Sequence, residues 1–479
     1  MLRIPPLPRR RRPALLALCA AALAGCAQTA PDALRGDVAQ LAAAHDPRGT
    51  LPPAATTRAQ ADALVAQWLA APLDADSAVR IALLNNPALQ AALSALDIAD
   101  AERVQAATLP NPYFSIGRFT EGGARQIERS LRFDVLGLLT LPWRVQQQGR
   151  AVEIAKLQAA QDVVRLAAGT RRAWVRAVAA EQVAAAHGRM QDAAEAGAEL
   201  ARRMADAGNW SRLRQAREQM ALAGSTARLA RARLAAAQAR EDLSRRMGLE
   251  GGEAQRFTLP DRLPDLPAAP PATDGLEARA LRERLDVRAA QLQNAYVAES
   301  LGYTRATGFV SALDIGYTHD TTFANDGSGG GVAKRGWALD VPIPLFDWGG
   351  AATASAQARY RQSAEQVRDA AVLARSEVRA AAQAVRTAHA LAHQQRQAVV
   401  PLAQRISDET TLRHGGMLAS TWELLAEAAA ATQAVADAAE AERDYWLADA
   451  DLQQAITGTS PGAAQAFAAG AASNTPERH

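Results

Sequence analysis

Two long stretches of this chain, 143–259 and 345–400, contain no proline. A proline inside a helix removes a backbone hydrogen bond and clashes with the preceding turn, at about 3 kcal/mol or more, so uninterrupted helices can form in these stretches. Alanine makes up about a quarter of the 479 residues and aromatics only 5%. That composition argues against a compact sandwich with a large core and for long helices packed closely along their sides. The first stretch predicts a helix over 144–206, on the order of 90 Å long at 1.5 Å per residue. Gly208 interrupts it, and a return helix follows over 210–247. The second stretch predicts a helix over 350–413, an interruption at Gly415-Gly416 and a return over 418–457. Ile154, Leu157 and Val164 keep spacings of three and seven, as do Val175 and Val178, which suits an alanine-rich coiled-coil seam.

The chain is also duplicated. Asn86-Pro87-Ala88-Leu89-Gln90-Ala91-Ala92 corresponds to Arg284-Leu285-Asp286-Val287-Arg288-Ala289-Ala290. Ile116-Gly117 corresponds to Ile315-Gly316, and Phe133-Asp134-Val135 to Leu339-Asp340-Val341. The offset stays near 200 residues, far beyond the roughly 20–50 residues of a solenoid repeat. It predicts two similarly built halves, 76–249 and 276–458, joined by a proline-rich linker at 250–275. Each half opens with a helix (77–108 and 275–306), continues through a β-like segment (111–140 and 307–346) and ends in the long helical hairpin.

In the β-like segments the pattern switches from helical to alternating. Of the 22 aromatic residues, 12 lie in 112–143 and 303–348. Leu131, Phe133 and Val135 alternate with Ser130, Arg132 and Asp134. Phe309, Leu313, Ile315 and Tyr317 share one face, with Asp314, Gly316 and Thr318 opposite. Trp337, Leu339 and Val341 repeat the pattern around Ala338 and Asp340. Each segment reads as a hairpin of two strands of roughly 9–11 residues, turning at Gly122-Gly123 and over 320–334, and strands of that length with one apolar face suit a membrane barrel. Four strands cannot close a barrel, and open edges in lipid leave backbone groups unpaired at several kcal/mol each. Three copies supply twelve strands, which predicts a trimer.

The N-terminus carries a targeting signal. Arg3 and Arg9 to Arg12 precede an apolar run over 14–24, shorter than the roughly 20 residues a spanning helix needs but suited to a signal-peptide core. It ends in Leu23-Ala24-Gly25-Cys26, which resembles a bacterial lipoprotein signal (1–25), with Cys26 as the lipidated first residue of a periplasmic segment over 26–75. The whole chain has 53 basic and 50 acidic residues. Loss of the five arginines before Cys26 leaves 48 against 50, so the apparent basic character belongs to the signal and implies no anionic partner. Cys19 goes with the signal, and a single remaining cysteine excludes a disulfide framework.

Several residues carry a closer likeness. They are Cys26, Asn86-Pro87-Ala88-Leu89, the junction Pro342-Ile343-Pro344-Leu345-Phe346-Asp347-Trp348-Gly349, Gly416 through Leu425, and Tyr445-Trp446-Leu447. With these in order and duplicated, the chain resembles the TolC family of outer-membrane efflux proteins, in its lipid-anchored branch. The resemblance implies a mainly helical fold with a β-barrel part: a homotrimer with a twelve-stranded barrel in the outer membrane and an α-helical tunnel in the periplasm. It also implies a passive exit duct that docks a periplasmic adaptor protein and an inner-membrane pump. The linker 250–275 and the tail 459–479 would form a partly structured equatorial region. Leu285 departs from the proline usual at its position, and Arg212 and Arg214 are unexpected at a helical tip. A periplasmic coiled-coil adaptor or scaffold lipoprotein is the rival reading; it needs neither the duplication nor the hairpins.

The resemblance places a periplasmic mouth at the helical tips, 206–214 and 408–423, where rings of charge would set selectivity. Candidate gate residues are Asp408, Glu409, Glu423, Arg212 and Arg214. Arg132, Asp134, Asp314 and Asp340 are expected to face the barrel lumen. His389 and His393 have the i, i+4 spacing of metal ligands, but no nearby Glu or Cys completes a site. The glycine-rich stretch 327–331 lacks the P-loop spacing. No catalytic motif appears, no cofactor is expected beyond the lipid on Cys26, and no basic stripe interleaved with aromatics suggests nucleic acid.

Overall fold

The computed structural model describes residues 31–46, 51–52, 57–252, 257–309, 312–323 and 331–458. Cys26, Gly327 and the tail after Gly458 lie outside them. In chain order the elements are α1 (Pro31–His45), α2 (Arg58–Trp68), α3 (Ala75–Asn85), α4 (Pro87–Ala107), β1 (Tyr113–Glu121), β2 (Ala124–Asp134), α5 (Val135–Leu139), α6 (Leu141–Asp206), α7 (Arg212–Met247), α8 (Leu276–Glu283), α9 (Leu285–Thr307), β3 (Asp314–Phe323), β4 (Gly331–Asp340), α10 (Gly350–Gln394), a π-helical turn (Gln395–Val399), α11 (Val400–Gly415) and α12 (Thr421–Thr457). The order helix, hairpin, long helix, return helix occurs twice, as the repeat predicts.

The chain folds as two compact units, each drawing on both repeats. Of the described residues, one gathers those within Ser94–Lys156 and Ala290–Val367; the other gathers those within Arg35–Leu93, Leu157–Ala289 and from Arg368 to Gly458. The first unit holds one antiparallel sheet in the order β1-β2-β3-β4. Gly117 and Gly316, paired by the repeat, lie on β1 and β3, and β2 and β4 both end at an aspartate, Asp134 and Asp340. Here two expectations need correcting. Val135 does not continue the strand: Asp134 accepts a hydrogen bond from the Gly137 amide (2.6 Å) and caps α5. Phe309 lies in the turn after α9, its ring tilted against Trp348 (5.9 Å between centroids), not on β3. The 342–349 motif turns the chain into α10 through Gly349, at φ +75°, where a Cβ would sit 2.6 Å from the Gly308 carbonyl. No other residue type fits there without moving backbone.

The second unit carries the helical core. Helix α6 runs for 66 residues. Its seam residues Leu157, Val164, Val175 and Val178 are buried together with Ala160, Ala167, Ala173 and Ala177, so alanines let neighbouring backbones approach. Phe257, Leu259 and Leu263 of the proline-rich segment join a core with Trp174, Leu243 and Met247. Trp174 donates to the Leu73 carbonyl (2.7 Å), and the Leu73 amide donates to Thr258 (2.8 Å). A second core packs Val378, Val385, Tyr445, Leu452 and Ile456.

Each repeat breaks its first helix in the same way. Asn86 (φ −70°, ψ 118°) separates α3 from α4, and Arg284 (φ −63°, ψ 124°) separates α8 from α9. The single helices expected over 77–108 and 275–306 are therefore each two. Pro87 suits the first helical position, where the amide it lacks would be unpaired. Asn86 holds its break by donating to Arg246 O (2.9 Å) and accepting from the Leu89 amide (3.1 Å). At Leu285 the corresponding break is held by ions. Arg284, fully buried, pairs with Asp286 (2.8 Å) and Glu377 (2.6 Å) and donates to Ala455 O (3.2 Å). Burial opposes the charge on Arg284, but the hydrogen bonds and charges of Asp286 and Glu377 outweigh it and raise its pKa. Burial likewise pushes the Asp286 carboxyl up, against the pull of Arg284.

The helix expected over 350–413 contains the π-helical turn just before Pro401. The wider turn absorbs the backbone mismatch at a residue that cannot donate a hydrogen bond. Tyr445, 2% exposed in the second core, packs edge-on against His389 and Trp446. Burial, helped by Asp449, raises its phenol from 10.0 to about 12. Because the folded value lies above the unfolded one, the associated stability is present below about pH 10 and lost as pH rises toward 12. Tyr445→Phe should remove that share of the alkaline transition, so its helical circular dichroism should persist to higher pH than that of the parent. An unchanged alkaline midpoint would refute this.

Candidate functional site

The register of the sheet sorts its side chains onto two faces. Phe133, Ile315 and Leu339 form one row, and Phe114, Leu131, Tyr317 and Trp337 the next. This face is apolar yet exposed: Trp337 is 78% exposed and Phe114 66%. Tyr317 and Trp337 meet with their rings tilted at 59° and their centroids 5.1 Å apart. The opposite face holds Ser115, Glu128, Ser130, Arg132, Thr318, Asp320 and Lys334. Asp134, Asp314 and Asp340 lie directly opposite one another across β2, β3 and β4. All four lumen candidates thus share the polar face. Arg132 reaches Asp340 (3.6 Å) across β3, where Gly316 on β3 and Ala338 on β4 leave room, with both side chains about half exposed. Asp134 has a structural role as well, as the cap of α5.

The helical tips of the second unit are paired by two tryptophans. Trp210, before α7, and Trp422, in the first turn of α12, have ring centroids 4.4 Å apart, and Arg214 lies over Trp210 at 5.6 Å. Each return helix is capped by a serine, Ser211 accepting from the Arg214 amide and Ser420 from the Glu423 amide. Arg214 and Glu423 therefore occupy the same position in their helices. Glu423 is favoured there by the helix dipole, whereas Arg212 and Arg214 are opposed by it. The helix argument accounts for Glu423 and leaves the two arginines to another role. All five gate candidates are exposed. Glu409 pairs with Arg413 (3.1 Å), and Asp408 and Glu409 sit nearly two turns before the end of α11.

The second tip departs from expectation in its turn. Helix α11 continues through Gly415, and the left-handed position falls on Met417 (φ 60°), not on a glycine. Met417 and Leu418 are 94% and 82% exposed, and the Leu418 amide donates to Arg413 O (2.8 Å). In the first tip Gly208 (φ +75°) fills that role. Met417→Gly should relieve the strain and stabilise the fold by about 0.5–1 kcal/mol. Thermal unfolding would check this, and a lower midpoint would contradict it.

Among the described residues no cluster of three or more His, Cys, Asp or Glu could hold a metal ion, and no helix is long and apolar enough to cross a membrane. The histidine pair at i, i+4 spacing serves the packing. His389 is buried, its Nε2 donates to Pro267 O (2.8 Å), and His393 stacks on it at 5.8 Å. The His389 ring fastens the proline-rich segment.

Neither a protein-family model nor a curated protein matches the amino-acid sequence. Solved structures do. The CmeC outer membrane channel of Campylobacter jejuni superposes with a TM-score of 0.68 at 14% identity, over 80% of this chain and 85% of its own. A membrane protein from Pseudomonas aeruginosa gives 0.66 at 18%, over 80% and 93%. The outer membrane protein VceC of Vibrio cholerae gives 0.64 at 16%, over 84% and 96%. This chain has the fold of the TolC-like outer-membrane channels.

Proposed function

We propose that this chain is the outer-membrane exit channel of an efflux assembly, conducting passively what a pump delivers. The observation that carries the reading is the sheet. Among the described residues its outer strands, β1 and β4, each pair on one side only, and one of its faces is apolar and exposed. In lipid those edges need partners. Three copies would join β4 of one to β1 of the next and close a twelve-stranded barrel, with the Asp134, Asp314 and Asp340 face lining the lumen. The shared fold with outer membrane channels supports this architecture. A lipid on Cys26 would add an anchor to the outer membrane from the periplasmic side. The tips, with Met417 and Leu418 exposed, would meet a periplasmic adaptor protein coupled to an inner-membrane pump, and Arg212, Arg214, Asp408, Glu409 and Glu423 would line the mouth. No enzymatic step is part of this role.

The test is extraction of the mature protein from outer membranes, sizing in detergent and conductance in planar bilayers. The expected result is a detergent-requiring trimer that conducts. A Cys26→Ser protein that remains a soluble monomer without detergent would overturn the channel reading in favour of a scaffold lipoprotein.

A further inference from the structure

Beyond its two aromatic rows, the apolar face of the sheet becomes cationic toward the hairpin turns. The third row is Ile116, Arg129, His319 and Arg335, in direct register across all four strands. Arg118 lies in the fourth row, and Arg125 in the fifth, over the ring of Phe323 (4.8 Å). None of the strand positions on this face is Asp or Glu. The carboxylates Glu128, Asp314, Asp320 and Asp340 all belong to the opposite face. Arg118, Arg129 and Arg335 form no ion pair among the described residues. Arg129 and Arg335 flank His319 on neighbouring strands, two guanidinium groups on one face without a carboxylate, an arrangement that suits a counter-charge from outside the chain.

The position of the row says where that charge comes from. Exposed apolar residues continue past the other end of the strands: Leu138, Leu139, Ile343, Leu345, Phe346 and Trp348, with Phe346 99% exposed. The apolar band is thus centred on the strand-to-helix junctions and the first two rows. An arginine at the middle of a bilayer costs about 2–4 kcal/mol, and near the interface about 0–1. With the band in hydrocarbon, the cationic rows fall at the headgroup level of the leaflet on the hairpin side.

We propose that Arg129, His319 and Arg335 bind the phosphomonoester of a lipid headgroup in that leaflet. A phosphomonoester carries about −1.5 to −2 charges and three acceptor oxygens, which suits two guanidinium groups flanking an imidazole better than the single charge of a phosphodiester. Adjacent strands are about 4.8 Å apart, so one phosphate can contact neighbouring members of the row. This inference rests on the sheet lying in a membrane, as proposed above.

The experiment uses the full mature protein in vesicles of phosphatidylcholine alone, or containing one part in ten of phosphatidic acid (a monoester) or phosphatidylglycerol (a diester). Lipid retained after extraction is counted by native mass spectrometry. Phosphatidic acid should be retained about tenfold over phosphatidylglycerol. Arg129→Gln/Arg335→Gln should abolish that preference, and Arg335→Gln alone, on the edge strand, should weaken it. Lys334→Gln, a cation lost from the other face, should leave it intact. Equal retention of the two lipids by the parent protein would overturn the inference while leaving the channel reading standing. Loss of preference in Lys334→Gln but not in the double variant would do the same. Failure to enter any of the vesicles would sink both together.

Discussion

Arg284→Met should cost about 3–5 kcal/mol of stability, the largest single effect expected in the helical unit. Arg284 is fully buried and donates to Asp286, Glu377 and the Ala455 carbonyl. Methionine fills a similar volume, so the loss does not come from a cavity. It comes from removing the cation that the mostly buried Asp286 and Glu377 share, which leaves the Asp286 carboxylate in low dielectric without its ion-pair partner. Burial already pushes the Asp286 carboxyl up with Arg284 in place; without it, Asp286 should titrate higher still. Urea unfolding of the purified protein, followed by helical circular dichroism, measures the cost. Replacing all three, Arg284→Met, Asp286→Leu and Glu377→Leu, should recover most of the loss, because the complete removal leaves no orphaned charge. A single variant that loses less than about 1 kcal/mol, or a triple variant as weak as the single, would refute this account.

The same network shows what a sequence can and cannot disclose. The duplication is visible in the sequence because corresponding elements reuse residues: Ile116-Gly117 lies on β1 and Ile315-Gly316 on β3, though at different places in the register, and Asp134 and Asp340 end β2 and β4. The long helices are legible because proline is missing from them and alanine is not. The helix break at Asn86 had a signal in Pro87, whereas the break at Arg284 is hidden, since it is held by an ion pair to Glu377, nearly a hundred residues away. The π-helical turn had a signal in Pro401. The left-handed turn had a misleading one, because Gly415-Gly416 attracts the assignment that Met417 takes. Alternation revealed the faces of the sheet, and with them the placement of Arg132, Asp314 and Asp340. It did not reveal the Arg129, His319 and Arg335 row, because those residues come from three strands and meet only through the register. The tryptophan pair at the tips was likewise invisible: Trp210 and Trp422 belong to different repeats and fall on either side of their serine caps.

Asp340→Asn should change ion selectivity more than Asp314→Asn, although both remove one carboxylate from the same row. In the proposed trimer the polar face lines a lumen in which charge acts on passing ions through a short, poorly screened path. Asp314→Asn removes one negative charge per copy. Asp340→Asn makes the same change in net charge but also frees the Arg132 guanidinium, now held beside it at 3.6 Å, to extend into the path of the ions. Reversal potentials in planar bilayers should show the potassium-to-chloride preference falling severalfold for Asp340→Asn and less for Asp314→Asn. Stability should not fall with it. Three carboxylates in direct register repel one another, at roughly 0.2–1 kcal/mol per facing pair, so neutralising one should leave the melting temperature unchanged or slightly higher. Asp134 is the wrong member of the row for this test, since it caps α5 through the Gly137 amide and its loss would cost about 1 kcal/mol by itself. Selectivity untouched by either substitution, in channels that still conduct, would mean that this face does not line the path of the ions.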